Sequence, residues 1–251
     1  MRYIIVVSVI MPAYNSQRTI EAAINSILNQ TYTDLEVIVV NDCSTDATEE
    51  VVKTITLKDP RVKYFCNEKN SGVSYTRNFA ISKAQGEWIA FLDSDDLWRA
   101  NKLEVQLKIA EEQKADILYS SHSMIDINGN KCCDDFIVDE NTDYNKMLVR
   151  NEIGCLTAVV RTDVMRKYTF SGQYAHEDYA LWMSILKDGH KAAGSKEVLA
   201  DYRVYQGSRS SNKLRAAKNR WIIYRKHLKL SLFSSIYYLI KYTIKALKKY
   251  S

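Results

Sequence analysis

Apolar residues fall in five short runs within the first 120 positions, at 4–11, 35–40, 62–66, 88–92 and 117–121. Each has the length of a buried strand and is too short for a helix that is apolar all round. Between the runs, hydrophobic positions recur at three- and four-residue spacing. Ile20, Ala23, Ile24, Ile27 and Leu28 form one such set, and Val51, Val52 and Ile55 form another. Stretches 75–84 and 103–110 repeat the pattern. Near-continuous apolar strands alternating with helices predict an α/β fold, with a Rossmann-like, mostly parallel sheet covered on both faces. Asp46 with Glu49, and Asn101 with Glu104, have the spacing of a capping box at two helix starts.

From about Asp126 the pattern loosens. Positions 128–144 are polar and acidic and read as a hairpin or loop, 156–161 as a strand, 162–168 as a short helix and 178–187 as a longer one. After Leu214 the chain reads as helical. Phe233, Ile236, Tyr237, Ile240, Ile244 and Leu247 share one face there, and Lys241, Lys245 and Lys248 share another, which predicts a C-terminal amphipathic helical extension.

Composition changes this picture mainly through charge. The 251 residues are 46% apolar and 26% charged, which excludes collagenous, mucin-like and wholly disordered chains. The net charge of +5 averages two unlike parts. Residues 1–201 carry 22 basic and 30 acidic side chains, whereas residues 202–251 carry 13 basic and no acidic ones. Five cysteines without C-x-x-C spacing argue against a disulfide framework or a zinc site, and fit a reducing compartment. The apolar run at 3–7 is short for a signal peptide. No stretch reaches the ~18–20 apolar residues of a spanning helix. The expected location is the cytoplasm, or the inner face of a membrane.

Candidate chemistry lies where strands end, because ligands of parallel α/β sheets sit beyond the carboxyl ends of the strands. The first strand runs into Pro12-Ala13-Tyr14-Asn15, the second into Asn41-Asp42-Cys43-Ser44-Thr45-Asp46, and the fourth into Asp93-Ser94-Asp95-Asp96. Three carboxylates in four positions repel one another. A divalent cation relieves that repulsion, and Mg²⁺ or Mn²⁺ takes one or two carboxylates plus phosphate oxygens. Asp42 reads either as an Asx-turn residue or as an acceptor for a base N–H or ribose hydroxyl. The absence of G-x-G-x-x-G after the first strand weakens a dinucleotide dehydrogenase reading.

These segments, with Asn70-Ser71-Gly72, Arg77-Asn78, Gly86-Glu87-Trp88 and His176-Glu177-Asp178-Tyr179-Ala180-Leu181-Trp182, resemble the family 2 glycosyltransferases with a GT-A fold. The resemblance covers residues 4 to about 205. It implies a nucleotide-sugar-binding half over 1–125 and an acceptor-binding and catalytic-base half of the same domain over 126–212; charge and periodicity add a basic amphipathic helical tail over 213–251. It further implies that Pro12, Ala13, Tyr14 and Asn15 line the nucleotide pocket and that Asp42 accepts from uracil. Arg77 would lie beside the base or diphosphate, with Ser94 in the donor site. Asp93 and Asp95 would bind Mn²⁺ or Mg²⁺ and the donor. Asp178 matches the family's general base, with Glu177 orienting beside it.

The reading that results is an inverting transfer of a hexose (Glc, Gal or GlcNAc type) from a UDP-sugar to a lipid-linked saccharide in bacterial O-antigen or capsule assembly. The alternatives are a catalytically idle sugar-nucleotide-binding peripheral membrane protein, and a nucleotidyltransferase that releases pyrophosphate. Two departures from the family stand out. Tyr202-Arg203-Val204 leads into 205–211 without the usual histidine, leaving Arg203, Arg209 or nearby serines as lid candidates. Ala217 replaces the Gln of Q-x-x-R-W ahead of Arg220-Trp221, which argues for addition of a single sugar. The lysine-flanked apolar helix suits an anionic membrane surface, and an acidic body without a recognised module argues against nucleic acid.

Overall fold

The computed structural model describes residues 6–205 and 213–248, and no side chain at 213, 214 or 246–248. Four parallel strands carry the first half: β1 (Val7–Ala13), β2 (Leu35–Asn41), β3 (Val62–Cys66) and β4 (Trp88–Phe91). Their helices are α1 (Ile20–Leu28), α2 (Thr48–Thr56) and α3 (Val73–Lys83). Every residue of β1 and β2 is buried, because β1 lies between β2 and β4 and helices cover both faces. Alternation then sends Val7, Val9 and Met11 into one apolar layer and Ile10 into the other. The first strand runs two residues further than its apolar run, through Pro12 and Ala13; positions 4 and 5 lie outside the described residues.

After β4 come β5 (Leu97–Trp98), α4 (Lys102–Gln113) and β6 (Ile117–Ile125). The polar stretch forms a hairpin strand β7 (Lys131–Phe136) against β6, then β8 (Asn141–Thr142) and α5 (Tyr144–Val149). A 3₁₀ turn at Cys155–Thr157 leads into β9 (Val159–Arg161), followed by α6 (Thr162–Met165), α7 (Glu177–Lys187) and β10 (Ala192–Arg203). The sheet order is β3-β2-β1-β4-β9-β6-β10-β5, so β9 and β10 of the second half enter the sheet of the first. The chain runs β1-β2-β3 outward on one side of β1 and returns to β4 on the other. That reversal opens a crevice at the carboxyl ends of β1, β2 and β4.

Gly86 fits the tight approach that precedes β4: a Cβ there would lie 2.4 Å from the Val6 carbonyl oxygen. Neither expected capping box forms. Asp46 instead accepts from the Thr48 and Gln17 amides. Glu104 accepts from Thr31 Oγ1 at 2.6 Å, and Asn101 makes no side-chain cap.

The tail is less separate than its charge suggests. Helix α8 (Lys213–Ile222) continues into a π-helical turn (Ile223–His227) and then α9 (Leu232–Lys248). Ile223, Tyr224 and Leu228 are buried in the main core. Arg220 is buried too, its guanidinium 3.6 Å from the Tyr179 ring centre and 4.6 Å from that of Tyr242. The expectation of a single amphipathic appendage over 213–251 is therefore corrected: α8 and the π turn belong to the body. In α9, Ser235 is buried and Tyr238 and Leu239 pack inward, while Phe233, Ile236, Tyr237, Ile240 and Ile244 remain exposed. The side chains of Leu247 and Lys248 lie outside those described.

Candidate active site

The crevice is a cleft of about 640 Å³. Pro12, Ala13 and Tyr14 reach it from the end of β1, Asp42 from β2 and Arg77 from α3. Asp93, Ser94, Asp95 and Asp96 reach it from β4, and Glu177 and Asp178 from the start of α7. Each expected site residue except Asn15 thus lines one cavity. Asn15 is a tie instead. Its amide donates to Ser44 Oγ and its Oδ1 accepts from the Thr45 amide, which stitches the β1 and β2 loops together. Its left-handed backbone (φ 49°) is one that asparagine tolerates well.

Asp42 holds the cleft's floor. Its carboxylate accepts from Asn67 Nδ2 at 2.7 Å and from the Ser71 and Gly72 amides at 2.8 Å each. The end of β2 is thereby tied to the start of α3, where Gly72 takes a φ of 83° that side-chain-bearing residues avoid.

Arg77 is 3% exposed and lies between two carboxylates. Nη1 donates to Glu177 Oε1 at 2.8 Å and Nη2 to Asp93 Oδ1 at 2.6 Å, with the guanidinium 5.3 Å from the Phe170 ring centre. It joins the two walls of the cleft, and is not the surface ion pair that a helical arginine usually forms.

The carboxylates here carry too little compensating charge. Burial, and then the charge of Asp93, pushes Asp95 up to about 6. Burial, then Asp95 and Asp93, pushes Asp96 well above the usual range. Glu177 is raised by burial and by Asp178, and Asp178 by burial against the opposing pull of Arg77. Asp96 accepts from the Arg203 amide at 2.8 Å and is buried behind the turn. Arg203 is also committed there: Nε donates to the Asp95 carbonyl at 2.7 Å, and Nη1 to the Asp126 and Ile127 carbonyls at 2.8 Å each. The expectation of Arg203 as a lid group is corrected to a clamp. Arg209 and the serines at 208, 210 and 211 lie outside the described residues.

Asp93 and Asp95 fit a divalent cation. Among the described residues no cluster of three or more acidic, His or Cys side chains forms a cation cage. Asp93 faces the cleft with its side chain 37% exposed, and Asp95 is raised beside it. One or two carboxylates awaiting phosphate oxygens is the donor set Mg²⁺ and Mn²⁺ adopt.

His122, Cys155, Tyr202 and Tyr205 also line the cleft. The apolar run at 117–121 stops one residue short of His122, whereas β6 continues to Ile125 and carries its ring onto Phe136, centres 5.0 Å apart.

The model of glycosyl transferase family 2 matches residues 8–148. The Escherichia coli UDP-Glc:alpha-D-GlcNAc-diphosphoundecaprenol beta-1,3-glucosyltransferase WfgD is 38% identical over 98% of this chain and 95% of its own. Among solved structures, Staphylococcus aureus TarS 1–349 in complex with UDP-GlcNAc superposes with a TM-score of 0.72 at 23% identity, covering 94% of this chain and 71% of that one. The Pyrobaculum calidifontis mannosyltransferase PcManGT, in complex with GDP-Man and Mn²⁺, gives 0.71 at 20% identity, covering 93% and 69%. Both the match along the chain and the architecture around the carboxylate cleft lead to one conclusion: this chain belongs to glycosyl transferase family 2 and has the GT-A fold.

Proposed function

We propose that the protein is an inverting hexosyltransferase. It moves a glucose-, galactose- or GlcNAc-type unit from a UDP-sugar to a lipid-linked saccharide in bacterial surface polysaccharide assembly. The observation that carries this reading is the pairing across one cleft of Asp93 and Asp95 with Asp178. One side suits a diphosphate and the other suits a proton acceptor. The relative WfgD, named for a UDP-glucose donor and a diphosphoundecaprenol acceptor, supports the substrate classes.

The acceptor hydroxyl gives its proton to the Asp178 carboxylate as its oxygen bonds to the anomeric carbon. The bond to the β-phosphate oxygen breaks on the opposite face and its electron pair leaves with UDP. One displacement inverts the anomeric centre. A raised pKa makes Asp178 a stronger base than an exposed aspartate, and general-base assistance is worth about 10²–10⁴-fold. Glu177 is held by Arg77 and orients the start of α7. Asp95, with Asp93 beside it, would hold a divalent cation, which when bound would supply positive charge for the departing diphosphate.

The test is to incubate the protein with Mn²⁺ and a panel of UDP-sugars, with and without saccharide-diphosphate-lipid acceptors, and to follow free UDP and pyrophosphate. Asp178→Asn is expected to reduce transfer at least about 10²-fold while sparing UDP binding. Near-normal transfer by that variant removes the base assignment, and pyrophosphate in place of UDP removes the reading. The acidic limb of the rate profile is expected above the ordinary carboxylate range, because the base must be unprotonated and burial raises its pKa.

No described helix is long and apolar enough to cross a membrane. We assign α9 to the anionic inner leaflet. Phe233, Ile236, Tyr237, Ile240 and Ile244 form an exposed stripe, with exposed Lys241 and Lys245 along its edge. Removing the whole tail would also remove Ile223, Tyr224 and Leu228 from the core, so point changes are the better probe. Phe233→Ser with Ile240→Ser is expected to abolish co-sedimentation with phosphatidylglycerol vesicles; unchanged sedimentation overturns the assignment.

A further inference from the structure

A second groove, of about 660 Å³, lies between the start of α3, the loop 170–176 and α8. It meets the cleft along a shared wall that includes Gly72, Ala175 and Glu177, one residue from Asp178. Its loop is fixed in place. Asn78 donates to the Phe170 carbonyl and accepts from the Phe170 amide, both at 2.9 Å. Tyr174 is braced by His227, ring centres 5.2 Å apart. His227 in turn contacts Ser184 Oγ at 2.8 Å and the Ala180 carbonyl at 3.0 Å on α7.

The lining has a definite chemistry. Tyr75 is 55% exposed and Tyr174 is half-buried, which gives two aromatic side chains for the C–H face of a sugar ring. Gln173 and Asn219 add amides that can both donate to and accept from hydroxyls. Arg215, exposed on α8, adds the one arginine that lines the groove among the described residues. An aromatic and amide lining with one guanidinium matches a sugar joined to a phosphate better than it matches an apolar ligand. The geometry of access agrees. A nucleotide at the ends of β1, β2 and β4 would leave the groove open, and the groove approaches Asp178 along the wall that carries Glu177.

We infer that this groove seats the acceptor: the sugar rests against Tyr75 and Tyr174 with its reactive hydroxyl toward Asp178, and Arg215 faces its phosphates. The inference rests on the transferase reading and goes beyond it by giving the acceptor a place, formed by α3, the 170–176 loop and α8.

The probe is GlcNAc joined through diphosphate to a short alkyl chain, titrated calorimetrically into the full-length protein saturated with UDP and Mn²⁺. Wild type is expected to bind it. Tyr75→Ala, a change at an exposed ring, is expected to weaken binding tenfold or more and to raise the acceptor KM likewise, with UDP affinity unchanged. Arg215→Ala is expected to weaken the diphosphate probe but not the methyl glycoside of GlcNAc. Gly172→Trp, at a loop position whose Cβ would face Ser74 across 4.0 Å, is expected to obstruct the groove and abolish binding. Binding of the probe within twofold of wild type in all three variants overturns the inference even if transfer is observed. Normal binding by wild type with no UDP release from any donor defeats the transferase reading and leaves the groove standing.

Discussion

The two ends of the central sheet treat buried carboxylates in opposite ways. At the amino end, Glu36 on β2 is 6% exposed and fully partnered: Ser8 Oγ donates at 2.5 Å, Lys63 Nζ at 2.6 Å and the Gln85 amide at 2.8 Å. Burial pushes its pKa up, but the bonds from Lys63 and Ser8 outweigh that and leave it lowered. At the carboxyl end Asp95, Asp96, Glu177 and Asp178 are all raised; Arg77 pairs with Glu177 and Asp93, while Arg203 reaches the Asp96 carboxylate only through its backbone amide. One end spends its acid on holding β1, β2 and the turn before β4 together. The other tolerates unneutralised acid whose repulsion a charged ligand can relieve, and destabilised sites of that kind are where function is usually found.

The largest test of this contrast is Arg77→Met. Removing the guanidinium that bridges Asp93 and Glu177 leaves buried charge unpaired and is expected to cost about 3–5 kcal/mol at neutral pH, read by denaturant unfolding. Because Glu177, already raised by burial, would lose the opposing pull of Arg77, its folded pKa lies above its unfolded one, the native state binds the extra proton and stability is regained as pH falls. A loss that deepens on acidification would contradict the contrast. Glu36→Gln is expected to cost less, about 1.5–3 kcal/mol, through its charge-assisted bonds. Its pH signature has the other sign. The folded pKa of Glu36 is lowered, so its contribution is present above the ordinary glutamate range and lost as pH falls below it. The variant should therefore show a flatter acid limb of stability with activity per folded molecule retained. The smallest effect is ligand-linked. UDP with Mn²⁺ at tenfold over Kd is expected to add about 1.4 kcal/mol, a rise of about 3–6 °C in Tm. Asp95→Ala should remove most of that rise, whereas Glu36→Gln should preserve it.

The strands β1, β2 and β4 were legible because burial on both faces leaves near-continuous apolar runs, whereas β3, at the sheet edge, is only partly buried. The strand β10 was not legible. Ala192–Arg203 contains Gly194, Ser195, Lys196 and Glu197, and its register with β6 shifts on either side of Val198, so neither a run nor an alternation survives. The carboxylates of the site could be read from their place after strands. Their environment could not, since whether Arg77 and Arg203 turn inward depends on residues 16 to 108 positions away. The tail misled for a related reason: Arg220 counts as surface charge in any composition, yet it is buried against Tyr179 and Tyr242. Asn15 could not be read as a loop tie, because its partners Ser44 and Thr45 lie about thirty positions away.

The clamp made by Arg203 has a mechanical consequence. One side chain joins the Asp95 carbonyl to the carbonyls of Asp126 and Ile127, at the tip of the β6–β7 hairpin. In that tip the amides of Asn128 and Asn130 bond to the Asp126 carboxylate, and that of Gly129 to the Asp126 carbonyl. If the donor binds at Asp95, hydrogen exchange at these three amides is expected to slow, which would make them a remote gauge of site occupancy. Arg203→Lys, with no guanidinium to span the three carbonyls, disconnects the gauge.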